Sequence, residues 1–238
     1  MENIFIPGQV EYQQTDKKNK NKAIIIIEPC YPGYGITWGN ALRRVMLSSL
    51  PGAAINIVKI HGVKHEFSTL SGIKEDILQI ILNLKSLRFK ILKSDETPVL
   101  LKMKVNGEKK VTAGDFDKNS DVEIVNSDQY IATLTEKKAI LEISAEVTRG
   151  YGYISSEEKD RTNLELGSML IDSVFTPIVK IGCRVENVRV GKRTDYDKLI
   201  IDLETDGTIS PMDAFKNSAK MLADQFNYIG DYIDKQSK

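Results

Sequence analysis

A glycine-rich turn is the segment of this sequence whose residue types and spacing come closest to a known chemistry. Gly33, Gly35 and Gly39 follow the strand-like run 23–28 and precede an expected helix, whose N-terminal amides could bind a phosphate. The spacing is GxGxxxG, however, one residue longer than the dinucleotide fingerprint, and Lys59 stands about 20 residues on, where an acid should hold a ribose. A nucleotide- or phosphate-binding α/β enzyme that uses this turn is therefore kept as the alternative hypothesis.

No other arrangement of side chains indicates catalysis. The sequence has no Ser/His/Asp signature, Walker loop or paired-cysteine motif. His65 and Glu66 precede an expected helix, but no second histidine follows four residues later, so His65 is predicted to be a structural or interface residue rather than a base. The two cysteines lie far apart in the sequence and do not form the closely spaced pair of a structural zinc site, so no metal and no other cofactor is expected.

The composition favours a globular protein that does not bind nucleic acid. The 238 residues are 41% hydrophobic, enough for one or two domains with real cores. Lysine plus arginine equals aspartate plus glutamate at 33 each, whereas a protein that binds DNA phosphates normally has a basic excess or a basic stripe. The basic run 17–22 is interpreted as a solvated loop. Residues 1–5 do not form a secretory signal and no apolar run approaches the roughly 20 residues of a membrane span, so we expect a cytoplasmic protein.

The helix that positions the glycine turn is predicted to have one buried and one exposed face. Thr37 is the predicted N-cap, and the Pro-Gly pair at 51–52 ends the helix. At about 100° per residue, one arc is apolar and expected to be buried: Trp38, Ala41, Leu42, Val45 and Met46. Leu47 lies on the other arc between Arg43 and Arg44. This leucine is either a scattered surface residue or an apolar docking point with arginines around it, and the helix alone leaves both interpretations open.

Beyond this helix the periodicity predicts an α+β fold with a mostly β middle region. Strands are expected within 4–28 and at 54–60, 178–190 and 199–204, and residues 151–166 are expected to be an exposed excursion. A second helix is predicted to begin at Ser71 and to bury these residues: Ile73, Ile77, Ile80, Ile81 and Leu84.

Within the middle region, residues 101–105 and 141–147 alternate between apolar and polar side chains, as in an antiparallel sheet with one wet face. The first of these runs meets Asn106-Gly107, which predicts a hairpin.

The closing helix has clear start signals and a narrow apolar stripe. Ser210 is the predicted N-cap, Pro211 the first helical residue and Asp213 an acid in the first turn. The stripe advances in steps of four and three residues: Phe215, Ala219, Leu222, Phe226, Ile229 and Ile233. This spacing suits a helix lying on its own sheet and also one packed against another helix, including its copy in a second subunit.

Several motifs in family order show a resemblance that covers nearly the whole chain. They are GITWGNALRRVMLSSLPG, GVKHEFSTLSGIKEDILQIILNLK, DVEIVN, TRGYGY and VENVRVGKRTDYDKLIIDLETDGTISP. With the closing helix, they resemble the N-terminal domain of the bacterial RNA polymerase α subunit. The resemblance implies a homodimer that nucleates polymerase assembly by binding first the β and then the β′ subunit, while those two subunits supply the nucleotidyl transfer. It also implies a dimerisation domain at 1–51 plus 173–238, interrupted by a mostly β insert at 52–172.

The resemblance assigns roles to individual residues. Arg44 and Leu47 match the positions most closely tied to β binding; Arg43 beside them and His65, in the adjoining family motif, are assigned to the same interface. The residues matching positions tied to β′ are Lys85, Ile171, Glu186 and Lys198. The stripe of the closing helix is expected to form the dimer interface. Family members usually continue into a small C-terminal domain that contacts DNA and activators; this sequence stops at Lys238, so those contacts are not carried over. The resemblance leaves a bacterial or a plastid source open.

Overall fold

The chain divides into two compact units. The computed structural model describes residues 7–14, 20–162 and 164–236, so the expectations placed on residues 1–6 and 17–19 lie outside the described residues. Met1–Leu50 with Thr176–Lys238 form one unit, which we call the frame unit. Pro51–Phe175 form the other, which we call the insert unit.

The secondary structure confirms the predicted α+β class, with antiparallel sheets and few helices. The strands are β1 Gln9–Gln14, β2 Lys22–Cys30, β3 Pro51–Ile60, β4 Phe89–Ile91, β5 Val99–Asn106, β6 Lys109–Thr112, β7 Val122–Ile124, β8 Tyr130–Leu134, β9 Ile140–Tyr151, β10 Tyr153–Ile154, β11 Ser168–Leu170, β12 Ser173–Val174, β13 Ile178–Val190 and β14 Arg193–Thr205. The helices are α1 Tyr34–Ser48, α2 Ile77–Lys85 and α3 Pro211–Gln236. No helix within the described ranges is both long and apolar enough to cross a bilayer.

The frame unit is an antiparallel sheet that packs against α1 and α3. The strand order is β1-β2-β14-β13. Successive side chains of a strand point to opposite faces, and in β2 the side chains of Ala23, Ile25 and Ile27 are buried while their neighbours are half-buried. The buried residues of β2, β13 and β14 form one cluster with residues of the two helices, so the core lies between the sheet and the helices.

Helix α1 begins at Tyr34, so the prediction of Thr37 as its N-cap was wrong. The N-cap is Gly33, whose φ of 86° lies in the left-handed region that favours glycine. The Thr37 hydroxyl instead lies in the first turn and donates to the Gly33 carbonyl at 3.2 Å. Gly39, which the sequence assigns to the glycine-rich turn, lies inside the helix, where a Cβ would come 2.9 Å from Cδ1 of Leu199 on β14. The glycine is therefore required by a close helix–strand approach inside the helix.

The insert unit is built around a second antiparallel sheet, ordered β11-β3-β9-β5. Side chains of β5 alternate between buried and exposed, as predicted for a sheet with one wet face. The buried face forms a core with α2 and with the small sheets β4-β7 and β6-β8. The predicted core residues of the second helix are buried there, with Ile73 packed at the margin: Ile77, Ile80, Ile81 and Leu84.

Two local predictions in the insert unit were wrong. Helix α2 does not begin at Ser71; its N-cap is Asp76, whose carboxylate accepts from the Gln79 amide at 2.7 Å. Residues 106–107 do not join a paired hairpin, because β5 pairs with β9 whereas β6 pairs with β8. The turn forms, with Gly107 at a φ of 81°, but it sends the chain into another sheet.

Helix α3 begins where the sequence predicted. The Ser210 hydroxyl oxygen accepts from the Asp213 amide at 3.1 Å, and Pro211 is the first helical residue. The serine thereby gives a hydrogen-bond partner to one of the first-turn N–H groups, which have none within the helix.

The tightest glycine contact yields a stability prediction. A Cβ at Gly52 would lie 1.7 Å from the Phe175 carbonyl oxygen, so backbone has to move in a Gly52→Ala variant. We expect the free energy of unfolding, measured by urea denaturation, to fall by at least the roughly 1–3 kcal/mol typical of overpacking.

Gly182 in β13 is the matched control, because the nearest atom to its Cβ position is 3.8 Å away. Gly182→Ala should be neutral or stabilise by up to about 1 kcal/mol. Equal effects of the two substitutions would contradict the importance of the Gly52 contact.

Candidate functional site

Helix α1 exposes the side chains that the helical wheel assigned to its outer face. Arg43, Arg44 and Leu47 are exposed, with 38% of Leu47 accessible, while Leu42 and Met46 are buried. A large apolar side chain flanked by arginines therefore faces solvent in this chain.

The exposed stripe on α1 is longer than predicted. Ile36 is also exposed and lies three turns before Leu47 on the same side of the helix. Ile36 was not among the predicted residues, because the helix was expected to begin only at residue 38. Arg43 borders this stripe and also lies near β13: burial raises the pKa of the Cys183 thiol, and the nearby Arg43 charge opposes that shift.

The N-terminus of α1 is already occupied by a carboxylate. Asp197 on β14 is 7% exposed, and its Oδ2 accepts from the Gly33 amide at 2.9 Å and from the Gly35 amide at 3.0 Å. These are the donors that a phosphate at this helix end would use. Because an anionic group of the chain itself holds them, the geometry disfavours the phosphate-binding alternative.

Aromatic side chains pack around the same helix end. The rings of Tyr34 and Trp38 meet edge to face at 5.4 Å, and Tyr31 contacts both Tyr34 and Tyr196 at 6.1 Å. Aromatic pairs of this kind stabilise a fold by more than the burial of their apolar surface alone. Trp38 thus belongs to a group of aromatic side chains at the start of α1. It is only half-buried, whereas the helical wheel predicted a buried side chain.

The stripe on α3 changes surroundings halfway along the helix. Phe215, Ala219 and Leu222 are half-buried and pack against the core of the frame unit. Phe226 is 67% exposed, and Ile229 and Ile233 are exposed as well. The first half of the stripe therefore lies on the core of its own unit, and the second half faces solvent.

Two tyrosines that the sequence analysis overlooked widen the exposed half of α3. Tyr228 and Tyr232 are exposed and stack on each other with ring centroids 6.4 Å apart. Their spacing of four residues places them on one side of the helix, where Tyr232 lies about 60° around the axis from Ile229 and Tyr228 about 40° further. This half of α3 therefore presents a broad apolar face to solvent.

On the sheet of the frame unit, Glu186 and Lys198 are direct cross-strand partners in β13 and β14. Lys198 Nζ lies 3.0 Å from a Glu28 carboxylate oxygen, and Glu186 lies 3.5 Å from Arg184. The fold thus brings two of the predicted β′-contact residues together within a row of alternating charges.

In the insert unit, Lys85 and Asp172 form a hydrogen-bonded ion pair with an Nζ–Oδ2 distance of 2.8 Å. The other carboxylate oxygen accepts from the Ser156 amide at 2.9 Å. These partners, Lys85 first, hold the pKa of Asp172 well below its usual range. Ile171, which the resemblance ties to β′ as it does Lys85, is only 4% exposed and belongs to the core beneath this surface.

Lys159 is a neighbour of this pair that sequence reasoning missed. Its Nζ donates to the Ile171 carbonyl at 2.5 Å and to the Ser173 hydroxyl at 2.6 Å. Burial lowers the pKa of Lys159 to about 8, and the Asp172 carboxylate opposes that shift. The segment 151–166, predicted to be an exposed excursion, is thereby attached to the residues around β12 by a half-buried lysine, in addition to the pairing of β10 with β12.

His65 lies in an exposed loop of the insert unit, next to the exposed Phe67. Its carbonyl accepts from the Ser68 hydroxyl at 2.5 Å, which shapes the loop. Nowhere in the described ranges do three or more His, Cys, Asp or Glu side chains gather in a way that could hold a metal ion.

Comparison with known proteins gives a consistent match. Residues 58–176 match the family model described as the RNA polymerase Rpb3/RpoA insert domain. The chain is 48% identical over 206 residues, 87% of its length, to the DNA-directed RNA polymerase subunit alpha of Roseiflexus castenholzii. It is 46% identical over 201 residues, 84% of its length, to the protein of the same name from Alkaliphilus oremlandii. The match spans 62% of the length of each of these relatives.

The Lys85–Asp172 pair should make stability depend on pH. The pKa of Asp172 is lower in the folded chain than its ordinary 3.8, so its stabilising contribution is present above that value and is lost as the pH falls through the lower folded pKa. We expect the difference in unfolding free energy between the parent and Asp172→Asn to shrink as the pH is lowered from about 6 to about 2.

Urea denaturation across this pH range measures the difference. Lys85→Met should lessen the same pH dependence, because it removes the main cause of the shift. A difference between parent and Asp172→Asn that stays constant with pH would rule out this role of the pair.

Proposed function

The chain belongs to the family of DNA-directed RNA polymerase α subunits, and from this premise we propose that it is a homodimeric assembly platform that recruits the β and β′ subunits without supplying the active site. The observation that carries the proposal is that both helices of the frame unit leave large apolar side chains in water. Exposed apolar clusters of this kind mark surfaces that bind other proteins.

The dimer contact is proposed to lie along the second half of α3. The stripe continues in the same 3.5-residue spacing from the half-buried Leu222 to the exposed Phe226 and Ile229. A helix stripe of this spacing fits against another helix, and a two-fold dimer would place the same patch on both subunits. The frame unit would then be the dimerisation domain, with the insert unit as a separate mostly β domain.

The β subunit is proposed to bind the exposed face of α1 through Arg44 and Leu47. Arginine supplies five donors in a planar fork, and the apolar side chain beside it can be desolvated in the same contact. The family resemblance assigns Arg43 and His65 to the same partner. Arg43 lies in the frame unit and His65 in the insert unit.

The β′ subunit is proposed to bind the charged groups that the resemblance assigned to it. Lys198 and Glu186 are adjacent across two strands, and Lys85 is held in place by Asp172. Charged side chains held in fixed positions favour specificity in protein–protein contacts. The buried Ile171 would support the Lys85–Asp172 pair from the core of the insert unit.

The proposed subunit would act in the cytoplasm and bind duplex DNA only weakly by itself. The support is the balance of 33 basic and 33 acidic residues, which gives a formal net charge of zero. Nucleotidyl transfer would belong to the assembled polymerase, of which this chain would be a non-catalytic part.

Size-exclusion chromatography with light scattering, first alone and then with purified β, tests both halves of the proposal. For the dimer, we expect Phe226→Glu to convert the chain to a monomer, because it would bury an unpaired carboxylate from each subunit. Leu222 is less suitable, since it also packs against the core of its own unit.

Asn227→Glu is the matched control, one residue away on the polar side of α3, and it should leave the dimer intact. If Phe226→Glu stays dimeric at the same concentration as the parent, the dimer contact is not on this face of α3.

For β docking, Arg44→Ala and Leu47→Ala should give folded dimers that fail to capture β in a pull-down. Surface substitutions usually change stability by less than about 0.5 kcal/mol, whereas removing an interface anchor often weakens binding by about 2 kcal/mol or more.

Met46→Ala is the opposite control, because Met46 is fully buried. It should lower the unfolding free energy by about 2–5 kcal/mol, while the molecules that remain folded still bind β. Parent-like capture of β by both the Arg44 and the Leu47 variants would place the docking surface elsewhere.

A further inference from the structure

The start of α1 is capped by a residue far away in the sequence. At most helix starts the N-cap side chain accepts from the first-turn amides, but the N-cap here is Gly33, which has no side chain. Asp197 takes that place across a sequence separation of 164 residues. The helix start is therefore tied to the sheet as well as to the preceding turn, where the Tyr34 amide donates to the Tyr31 carbonyl at 2.9 Å.

The same carboxylate sets how closely α1 approaches β14. A Cβ at Gly35 would lie 2.9 Å from the Asp197 Cβ and 3.0 Å from its Oδ2. One turn further along, a Cβ at Gly39 would lie 2.9 Å from the side chain of Leu199. Two successive turns of the helix thus touch two alternate residues of one strand, which fixes both the distance of α1 from β14 and its rotation about its own axis.

The rotation and tilt of α1 decide where its outer face points. Arg44 lies nine residues beyond Gly35, about 13.5 Å along the axis at 1.5 Å per residue. A tilt at the start of a rigid helix therefore displaces the arginine at the other end.

From these contacts we infer that Asp197 is a positioning residue for the docking of β. It does not touch the partner; it holds α1 in the pose that presents Arg44 and Leu47. This inference rests on the proposed function, because it concerns the β surface named there. The chemistry required at residue 197 is an acceptor at the length of an aspartate side chain, and the negative charge is secondary.

Substitutions that separate length from charge test this requirement in the full 238-residue chain. Asp197→Asn keeps the length and one acceptor oxygen, and it should keep the affinity for β within about threefold of the parent. Asp197→Glu keeps the charge but is longer by one methylene, and it should weaken binding by about tenfold or more. Asp197→Ala removes the acceptor and should weaken binding to a similar extent.

Asp195→Ala is the matched control. Asp195 lies two residues away on β14, is exposed and pairs with Arg193 at 2.7 Å. Its loss should leave the affinity for β unchanged.

A double-mutant cycle separates positioning from a loss of stability. Since Asp197 acts partly through Arg44 and partly through Leu47, the variant carrying both Asp197→Ala and Arg44→Ala should bind β less weakly than the product of the two separate losses. Affinities are measured by titrating β and corrected for the folded fraction of each variant. If Asp197→Ala does not fold, the cycle is run with Asp197→Glu.

The possible results distinguish a failure of the proposed function from a failure of the positioning role of Asp197. A parent chain that does not bind β overturns the proposed function itself. A parent that binds, with Glu as good as Asn at position 197 or with losses that multiply in the cycle, overturns the positioning role and leaves the proposed function standing.

Discussion

The frame unit depends on the close contact between helix α1 and strand β14. Glycine on the inner side of the first two turns lets the helix backbone approach the strand closely. The Asp197 carboxylate accepts hydrogen bonds from the backbone amides of Gly33 and Gly35. Further along, the inner side carries Leu42 and Met46, which fill the core by volume. One end of the helix is thus set by contact distance and hydrogen bonding and the other by packing. A helix held in both ways has little freedom to roll, which is what a side-chain surface on its outer face requires.

Strand β14 takes part in more than this one contact. Because alternate residues of a strand point to opposite faces, Asp197 points towards α1 while its neighbour Lys198 points away and pairs with Glu28. Lys198 also sits across from Glu186 on β13. Under the proposed function, the support of one partner's surface and a contact of another would lie on consecutive residues. A backbone shift in β14 would therefore be felt on both faces of the sheet.

Local signals in the sequence were enough to predict the parts of the fold that local physics decides. The start of α3 at Ser210, the buried and exposed arcs of α1 and the alternation in β5 all follow from caps and periodicity. The errors arose where a distant contact decides. Glycine at positions 35 and 39 suggested a turn because its helix propensity is low, yet the approach of β14 makes glycine necessary inside the helix.

The role of Asp197 in the candidate site was likewise beyond reach of the sequence. Nothing in the local pattern of β14 shows which helix start its carboxylate will meet, because the two segments are 164 residues apart. The turn at 106–107 was predicted from its residues, but its hairpin was not formed, since strand pairing depends on the partners available in the whole sheet. Helix α3 shows that local patterns are insufficient in another way. The spacing of its apolar residues predicts the stripe, but the half of the stripe that is buried depends on how far the core of the frame unit extends. The exposed half, widened by Tyr228 and Tyr232, has more apolar surface than a narrow coiled-coil stripe needs. Under the proposed function, the second subunit would have to cover this face with more than its own copy of the α3 stripe.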